Sequence, residues 1–415
     1  MLSIKMRWLI FCVLPLQVFS QQTPVLPLDT ILNRIDRNNN LLQTYDIRAR
    51  SYQYSADAAT ALMPPMVGAG TFMTPYPGQM KMQPSDAGQL MLRFEQEITN
   101  PSKLRAKSQY IASQANVEKA TRTVTLNDLK AQARSNYYAW LVAQQRINVL
   151  QQNERIMTTM KKIEEVRYPY NQSLLGGVYK IDARVEENRN MIRMQEGDIA
   201  RARAYLNALM NEPGNALFEV DTNYVVTFRP AFIDTGSLAG VRGDVVRMNE
   251  SIRSMRLNID AMSKQRRPDF RIQYDHMYPL DAMMPNQYSV MGMITIPIAP
   301  WASKMYKSDI KAMELNIQAM QKERSAMLLE TQGMLYGMQA EIQTMQKRIQ
   351  AMETRIIPSM QKSLDAYFIS YQENKAQLPV VIDAWETLNM QQMVLLDEKL
   401  RLYQMIVDYE RQLYR

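Results

Sequence analysis

One cysteine, one histidine and 14 glycines in 415 residues set the first limits on this chain. Cys12 lies inside an N-terminal apolar run that reads as a removable leader, so the mature chain is expected to have no disulfide and no thiolate metal site. His276 has no second histidine to chelate with, no serine or cysteine nucleophile stands in a recognisable motif with it, and no glycine-rich phosphate loop is present. Neither catalysis nor a resident cofactor is therefore expected. Beyond the N-terminal run, charged or amide residues interrupt every apolar segment well short of the ~20 residues of a membrane-spanning helix. If such a chain enters a membrane after export, it does so by strands.

The N-terminus has the order of a secretory signal: Lys5 and Arg7, the apolar run Trp8 to Leu16, then Val18-Phe19-Ser20, with cleavage expected before Gln21. The formal charge of +8 drops by two on losing residues 1–20, and 41 acidic residues are interspersed with the basic ones. No basic cluster is interleaved with aromatics, so the charge reads as a solvated helix surface and not as a nucleic-acid footprint.

Helix-forming residues dominate. From Lys304 to Pro358, an apolar stripe runs Ile310, Met313, Ile317, Met320, Met327, Met334, Met338, Ile342, Met345, Ile349, Met352 and Ile356, with Arg324 and Thr331 filling two of its positions. Steps of three and four alternate except at Met334-Met338-Ile342, which predicts a heptad seam with one local irregularity. A helix of that span is about 80 Å long at 1.5 Å per residue, too long for a compact domain, and must line a rod or tube. Residues 102–168 repeat the arrangement, with Leu104, Leu126, Leu129, Tyr138, Leu141, Ile147 and Leu150 among the apolar positions.

Each long helix is expected to end in a tip turn, at 168–177 and at 371–379, and to return. Asp182 lies twelve residues beyond Tyr170 within Ile181-Asp182-Ala183, and Asp383 lies twelve beyond Tyr371 within Ile382-Asp383-Ala384. The matched tripeptides predict an internal duplication: a first repeat over 21–212, an irregular connector over 213–243 and a second repeat over 244–415.

Before each long helix, two segments alternate like strands, at about 66–76 and 87–99 and again at about 269–278 and 288–297. Phe270, Ile272, Tyr274, His276 and Tyr278 oppose Asp269, Arg271, Gln273, Asp275 and Met277; Leu90, Leu92, Phe94 and Ile98 oppose Met91, Arg93, Glu95 and Glu97. Such segregation over about 9–11 residues fits a tilted strand with lipid on one side and water on the other. Four strands leave two open edges, which lipid does not tolerate, so several chains must share one barrel, three giving twelve strands. Tyr76, Tyr274, Tyr278, Tyr288 and Trp301 are expected near the interfaces as an aromatic girdle.

Taken in order, Asn40-Leu41, Leu62-Met63-Pro64-Pro65-Met66, Glu95-Gln96-Glu97-Ile98, Pro101-Ser102-Lys103-Leu104-Arg105, Tyr170 to Glu186, Pro297-Ile298-Ala299-Pro300-Trp301 and Tyr371 to Leu388 resemble the TolC family of outer-membrane efflux ducts. The Gln-Glu-Ile and Pro-x-Lys-Leu-Arg combination looks most like its heavy-metal branch. The resemblance implies a mainly α chain with a small β part: an α-helical tunnel of long antiparallel coiled-coil helices, with four strands per chain in a trimeric, twelve-strand transmembrane barrel. It also implies a homotrimer in the outer membrane of a Gram-negative bacterium, docked to a periplasmic adaptor and to an inner-membrane efflux transporter of the RND type. Tyr170, Ser173, Leu174, Asn374 and Lys375 would then be adaptor-contacting tip residues, and Asp383 with Tyr371 a periplasmic gate. Val380 and Ala376 stand where a further aspartate and an arginine are usual in such gates. A trimeric adhesin or stalk would carry its strands at the C-terminus, where this chain is helix-patterned. A duct for drugs or secreted proteins differs only in cargo.

Methionine is abundant, 33 residues against one histidine. Met63, Met66, Met73, Met80, Met82, Met91, Met277, Met283, Met284, Met291 and Met293 concentrate around the strand pairs. Heptad methionines fill irregular packing. Met80, Met82, Met283 and Met284, in the loops, are the candidate thioether ligands for Cu(I) or Ag(I).

Overall fold

Asn100 and Pro101 start the longest helix: the Asn100 side chain accepts from the Ser102 N–H at 3.1 Å, and proline occupies the first helical position, where no N–H is needed. The computed structural model describes residues 24–80, 82–170, 175–297 and 299–414; the expected leader with Cys12, and Ser173 and Leu174, lie outside the described residues. The first elements are β1 (Val25–Leu26), α1 (Leu28–Asn38), α2 (Asn40–Ala58), β2 (Met66–Phe72), β3 (Gln89–Ile98), α3 (Pro101–Arg167) and α4 (Leu175–Met210). After β4 (Glu219–Val220) and α5 (Thr235–Val241) come α6 (Gly243–Ser263), β5 (Asp269–Pro279), β6 (Gln287–Thr295), α7 (Pro300–Ala351), α8 (Ile357–Gln372) and α9 (Leu378–Gln412). The 67 residues of α3 extend about 100 Å.

The four long strands form one antiparallel sheet in the order β2-β3-β5-β6, so the two hairpins are joined through β3 and β5. The strand expected over 66–76 stops at Phe72, because Met73 takes a left-handed φ of 52° that ends the extended run. The final strand covers 287–295 and not 288–297.

Sequence did not anticipate β1, α1 or the anchoring of the connector. In α1, Leu28, Ile31, Leu32 and Ile35 share one buried stripe, and β1 pairs in parallel with β4. Both pack on the aromatic middle of α3, where Tyr137, Tyr138 and Trp140 meet Leu206 and Phe218. Further along, Tyr409 accepts from the Ala231 N–H at 2.9 Å and Gln339 donates to the Ala231 carbonyl at 2.9 Å, tying the connector to α7 and α9.

The α7 seam departs from the predicted stripe. Leu335 is fully buried while Met334 is exposed, which moves the doubled four-residue step to Met327-Thr331-Leu335. On its way to the expected tip turn, the long helix is interrupted just before Pro358. Residues 352–356 form a π turn in which the Ile357 N–H bonds the Met352 carbonyl, and α8 continues beyond it. Proline at 358 cannot donate to the carbonyl of residue 354, and its ring crowds that turn; one inserted residue resolves both. The insertion rotates the seam, so Ile356, expected inside, is exposed, and Ile357, Met360, Leu364 and Tyr371 carry it onward.

Candidate functional site

The sheet has two chemically distinct faces fixed by its register. Leu92 pairs with His276, and His276 with Tyr288; Phe94 pairs with Tyr274, and Tyr274 with Val290. That face is open, with Leu92, Phe94, Tyr274 and Tyr288 all exposed. On the other face, Arg93 pairs with Asp275 and Glu97 with Arg271. The Arg93 Nε donates to Asp275 at 2.8 Å, Gln273 donates to Asp275 at 2.7 Å, and Arg271 lies 3.0 Å from Glu95 and 3.1 Å from Glu97. Gln273 and Asp275 are buried, so the charged face is the enclosed one and the apolar face the bare one. This inverts the usual soluble arrangement. At the helix end of the sheet, Lys103 reaches Asp269 at 2.5 Å.

Of the expected girdle, Tyr76, Tyr278 and Tyr288 lie at the loop end of the sheet and Trp301 at its helix end, all exposed. Tyr274 differs: it lies mid-strand and stacks on Tyr288 with ring centroids 6.3 Å apart.

At the other end of the molecule, Met157, Met160, Ile181, Leu364, Leu378, Ile382 and Trp385 form a separate apolar core. Tyr371 is buried in it, its hydroxyl donating to the Glu164 carboxylate. Burial, and then Glu164, hold the Tyr371 phenol well above its ordinary pKa. Arg167 sits 4.6 Å above the Tyr371 ring and donates to the carbonyls of Tyr371 and Gln372 at 3.0 and 2.9 Å. The turn closes at Asn374, whose φ of 57° suits asparagine, and the Lys375 N–H returns to the Ser370 carbonyl at 2.8 Å. Tyr170 and the Lys375 side chain are exposed at this tip.

The structure does not join the two expected gate residues: Tyr371 is occupied by Glu164, whereas Asp383 lies exposed on α9 with no side-chain partner among the described residues. Its sequence counterpart Asp182 is engaged instead, 2.5 Å from Lys161, whose pKa that hydrogen bond raises. Arg184 of α4 reaches Glu386 of α9 at 2.7 Å, so the two return helices are ionically linked. Sequence reading missed Glu164 and Arg167. The available signal was Glu164's place in the seam Asn153, Met157, Met160, Glu164, where a carboxylate needs a buried donor.

No helix among the described residues is long and apolar enough to cross a membrane. No protein-family model and no curated protein matches the sequence. Solved structures do: the outer-membrane channel OprN is matched with a TM-score of 0.74 at 15% identity, over 93% of this chain and 89% of that one. CusC, described through its folding and transmembrane channel formation, gives 0.72 at 16%, over 93% and 91%. The open MtrE outer-membrane channel of Neisseria gonorrhoeae gives 0.70 at 14%, over 93% and 88%. The chain has the TolC-family fold. In TolC-fold terms, the four-stranded sheet and the tip lie at opposite ends of the long helices. The two surfaces described above are therefore far apart on one rod.

Proposed function

We propose that the protein is the outer-membrane duct of a tripartite efflux pump in a Gram-negative bacterium. Three copies would supply four strands each to a twelve-strand barrel, and their helices would form the tunnel through the periplasm. The observation that carries this reading is the sheet: an exposed apolar face, an enclosed ionic face, and outer edges on β2 and β6 that pair with no further strand among the described residues. In lipid, bare strand edges must be paired, and only other copies can pair them. The charged face then lines water, and transport is passive. TolC-fold neighbours described as outer-membrane channels support the same reading.

The cargo we propose is heavy-metal ions, supported by the resemblance of the strand-to-helix junctions to that branch. A periplasmic adaptor and an RND-type inner-membrane transporter would complete the pump. Exposed Tyr170 and Lys375, together with Ser173, Leu174 and the turn-closing Asn374, are the proposed adaptor contacts. Asp383 carboxylates from three copies would narrow the tunnel, with Tyr371 holding the turn beside them. Conductance of the purified full-length protein in planar lipid bilayers tests the central claim: stable trimer-sized channels are expected, and a protein that neither inserts nor conducts would refute it.

A further inference from the structure

On three of the four long strands, β3, β5 and β6, apolar residues are sorted by type, while Phe72 of β2 shares the ionic face. On β3, β5 and β6, every leucine, isoleucine, valine, phenylalanine and tyrosine lies on the apolar face, whereas Met91, Met277, Met291 and Met293 all lie on the ionic face. None of the four methionines is buried, so closed-core packing does not explain this. Methionines that pack are found elsewhere and fully buried, as Met157 and Met160 are, and leucine would serve a lipid face equally well. A methionine on the Met91–Met277 rung has Arg93 and Asp275 on one side and Phe72, Gln89 and Pro279 on the other. What it contributes there is a soft, neutral thioether.

Two of these methionines are direct partners. Met91 pairs with Met277 across β3 and β5, which brings their side chains together on one face. On the other side of Met91 the partner is Gly70, where an added Cβ would meet nothing within 4 Å, so the space beside the thioether is open. The Arg93 Nη2 lies 3.8 Å from the Met91 sulfur, but Arg93 is already neutralised by Asp275 at 2.8 and 3.3 Å. Above this rung, the Leu280 N–H bonds the Gly88 carbonyl at 3.0 Å and joins the two hairpin loops that carry Met80, Met82 and Met283, each more than four-fifths exposed.

We propose that Met91 and Met277 form a thioether site for a soft monovalent metal cation, Cu(I) or Ag(I), on the water-lined face of the sheet just inside the loops. Soft sulfur ligands select these ions over the harder divalent metals. The chain contains one histidine, and it faces the other way, beside Leu92 and Tyr288. The proposal rests on the duct reading only in taking this face as the water-filled one. Thioethers carry no proton to lose, so binding should be independent of pH between about 5 and 8, unlike binding by imidazole.

Calorimetric titration of the full-length protein in detergent with silver nitrate tests the site. Saturable binding is expected, weakened at least tenfold in the double variant Met91→Leu/Met277→Leu and retained in Met80→Leu/Met82→Leu/Met283→Leu/Met284→Leu. Leucine keeps size and apolarity, so both variants should fold. No saturable binding by the parent protein, equal binding by the Met91/Met277 variant, or a tenfold loss between pH 7 and pH 5 would each overturn the site. Potassium conductance of the same preparation is read separately. Silver binding without conductance would count against the duct and leave the site standing, whereas conductance without silver binding would remove the site alone.

Discussion

The Tyr371 hydroxyl donates to the Glu164 carboxylate, closing the tip of the second long helix onto the end of α3 across 207 residues of sequence. Arg167 completes the arrangement by covering the ring and holding the two carbonyls that end α8. A hydrogen bond to a buried charged group contributes about 2 kcal/mol, and removing it leaves the carboxylate less well solvated. Tyr371→Phe should therefore speed amide exchange at residues 161–170 and 369–378 about thirtyfold, while Glu164→Gln, which keeps an acceptor, should speed it less. Exchange unchanged at both segments would show that the contact carries no tip stability.

The π turn at 352–356 makes a second prediction. Because Pro358 requires the missing bond and the extra residue restores the seam, the two features compensate each other. Deleting exposed Ile356 while changing Pro358→Ala should give an uninterrupted helix that still presents Leu364 and Tyr371 to the core. The same deletion with Pro358 retained forces proline into a continuous helix, at about 3 kcal/mol. Thermal unfolding of the two variants measures the difference, and equal midpoints would disprove the compensation.

The sequence made legible what depends on period. The strand faces followed from two-residue alternation in 90–98 and 269–278, and the helices from heptad steps, because both patterns are local. Three things were not local. The choice of Leu335 over Met334 depends on which neighbour packs against α7, since adjacent apolar residues satisfy the pattern equally. The π turn reverses the ordinary reading of proline as a helix terminator, because flanking packing holds the helix together. Tyr371 meeting Glu164 joins residues whose proximity only the fold creates. The pairing of Met91 with Met277 likewise needed the register of β3 against β5, which neither hairpin specifies by itself.

Alkaline pH should loosen the middle of the molecule. Burial pushes the Tyr137 phenol up to about 12, and burial followed by Tyr224 raises that of Tyr138 as well. Both exceed the ordinary value of about 10, so the unfolded chain loses these protons first as pH rises. Folding stability is then fully present below pH 10 and lost between pH 10 and about 12. Thermal midpoints should be level from pH 8 to 10 and fall above that, with a shallower fall in Tyr137→Phe. A midpoint that holds to pH 12 would contradict the burial of these phenols.

The two Ile-Asp-Ala aspartates should behave differently when removed. Asp182 is held by Lys161 at 2.5 Å and its charge is neutralised within the chain. Asp383 is exposed and unpaired among the described residues, so in the proposed trimer three such carboxylates would face the tunnel without internal compensation. A ring of acidic side chains raises the local cation concentration and favours cation passage. Asp383→Ala should therefore lower the cation-over-anion permeability ratio, by roughly twofold or more, in a reversal-potential measurement across a potassium chloride gradient. Asp182→Ala should leave that ratio unchanged. High salt should shrink the Asp383 effect, because screening shortens the reach of exposed charges to about 3 Å at 1 M. If Asp383→Ala conducts with the parent's selectivity at low salt, Asp383 does not line the constriction, and the narrowing must be assigned to other residues of the tip.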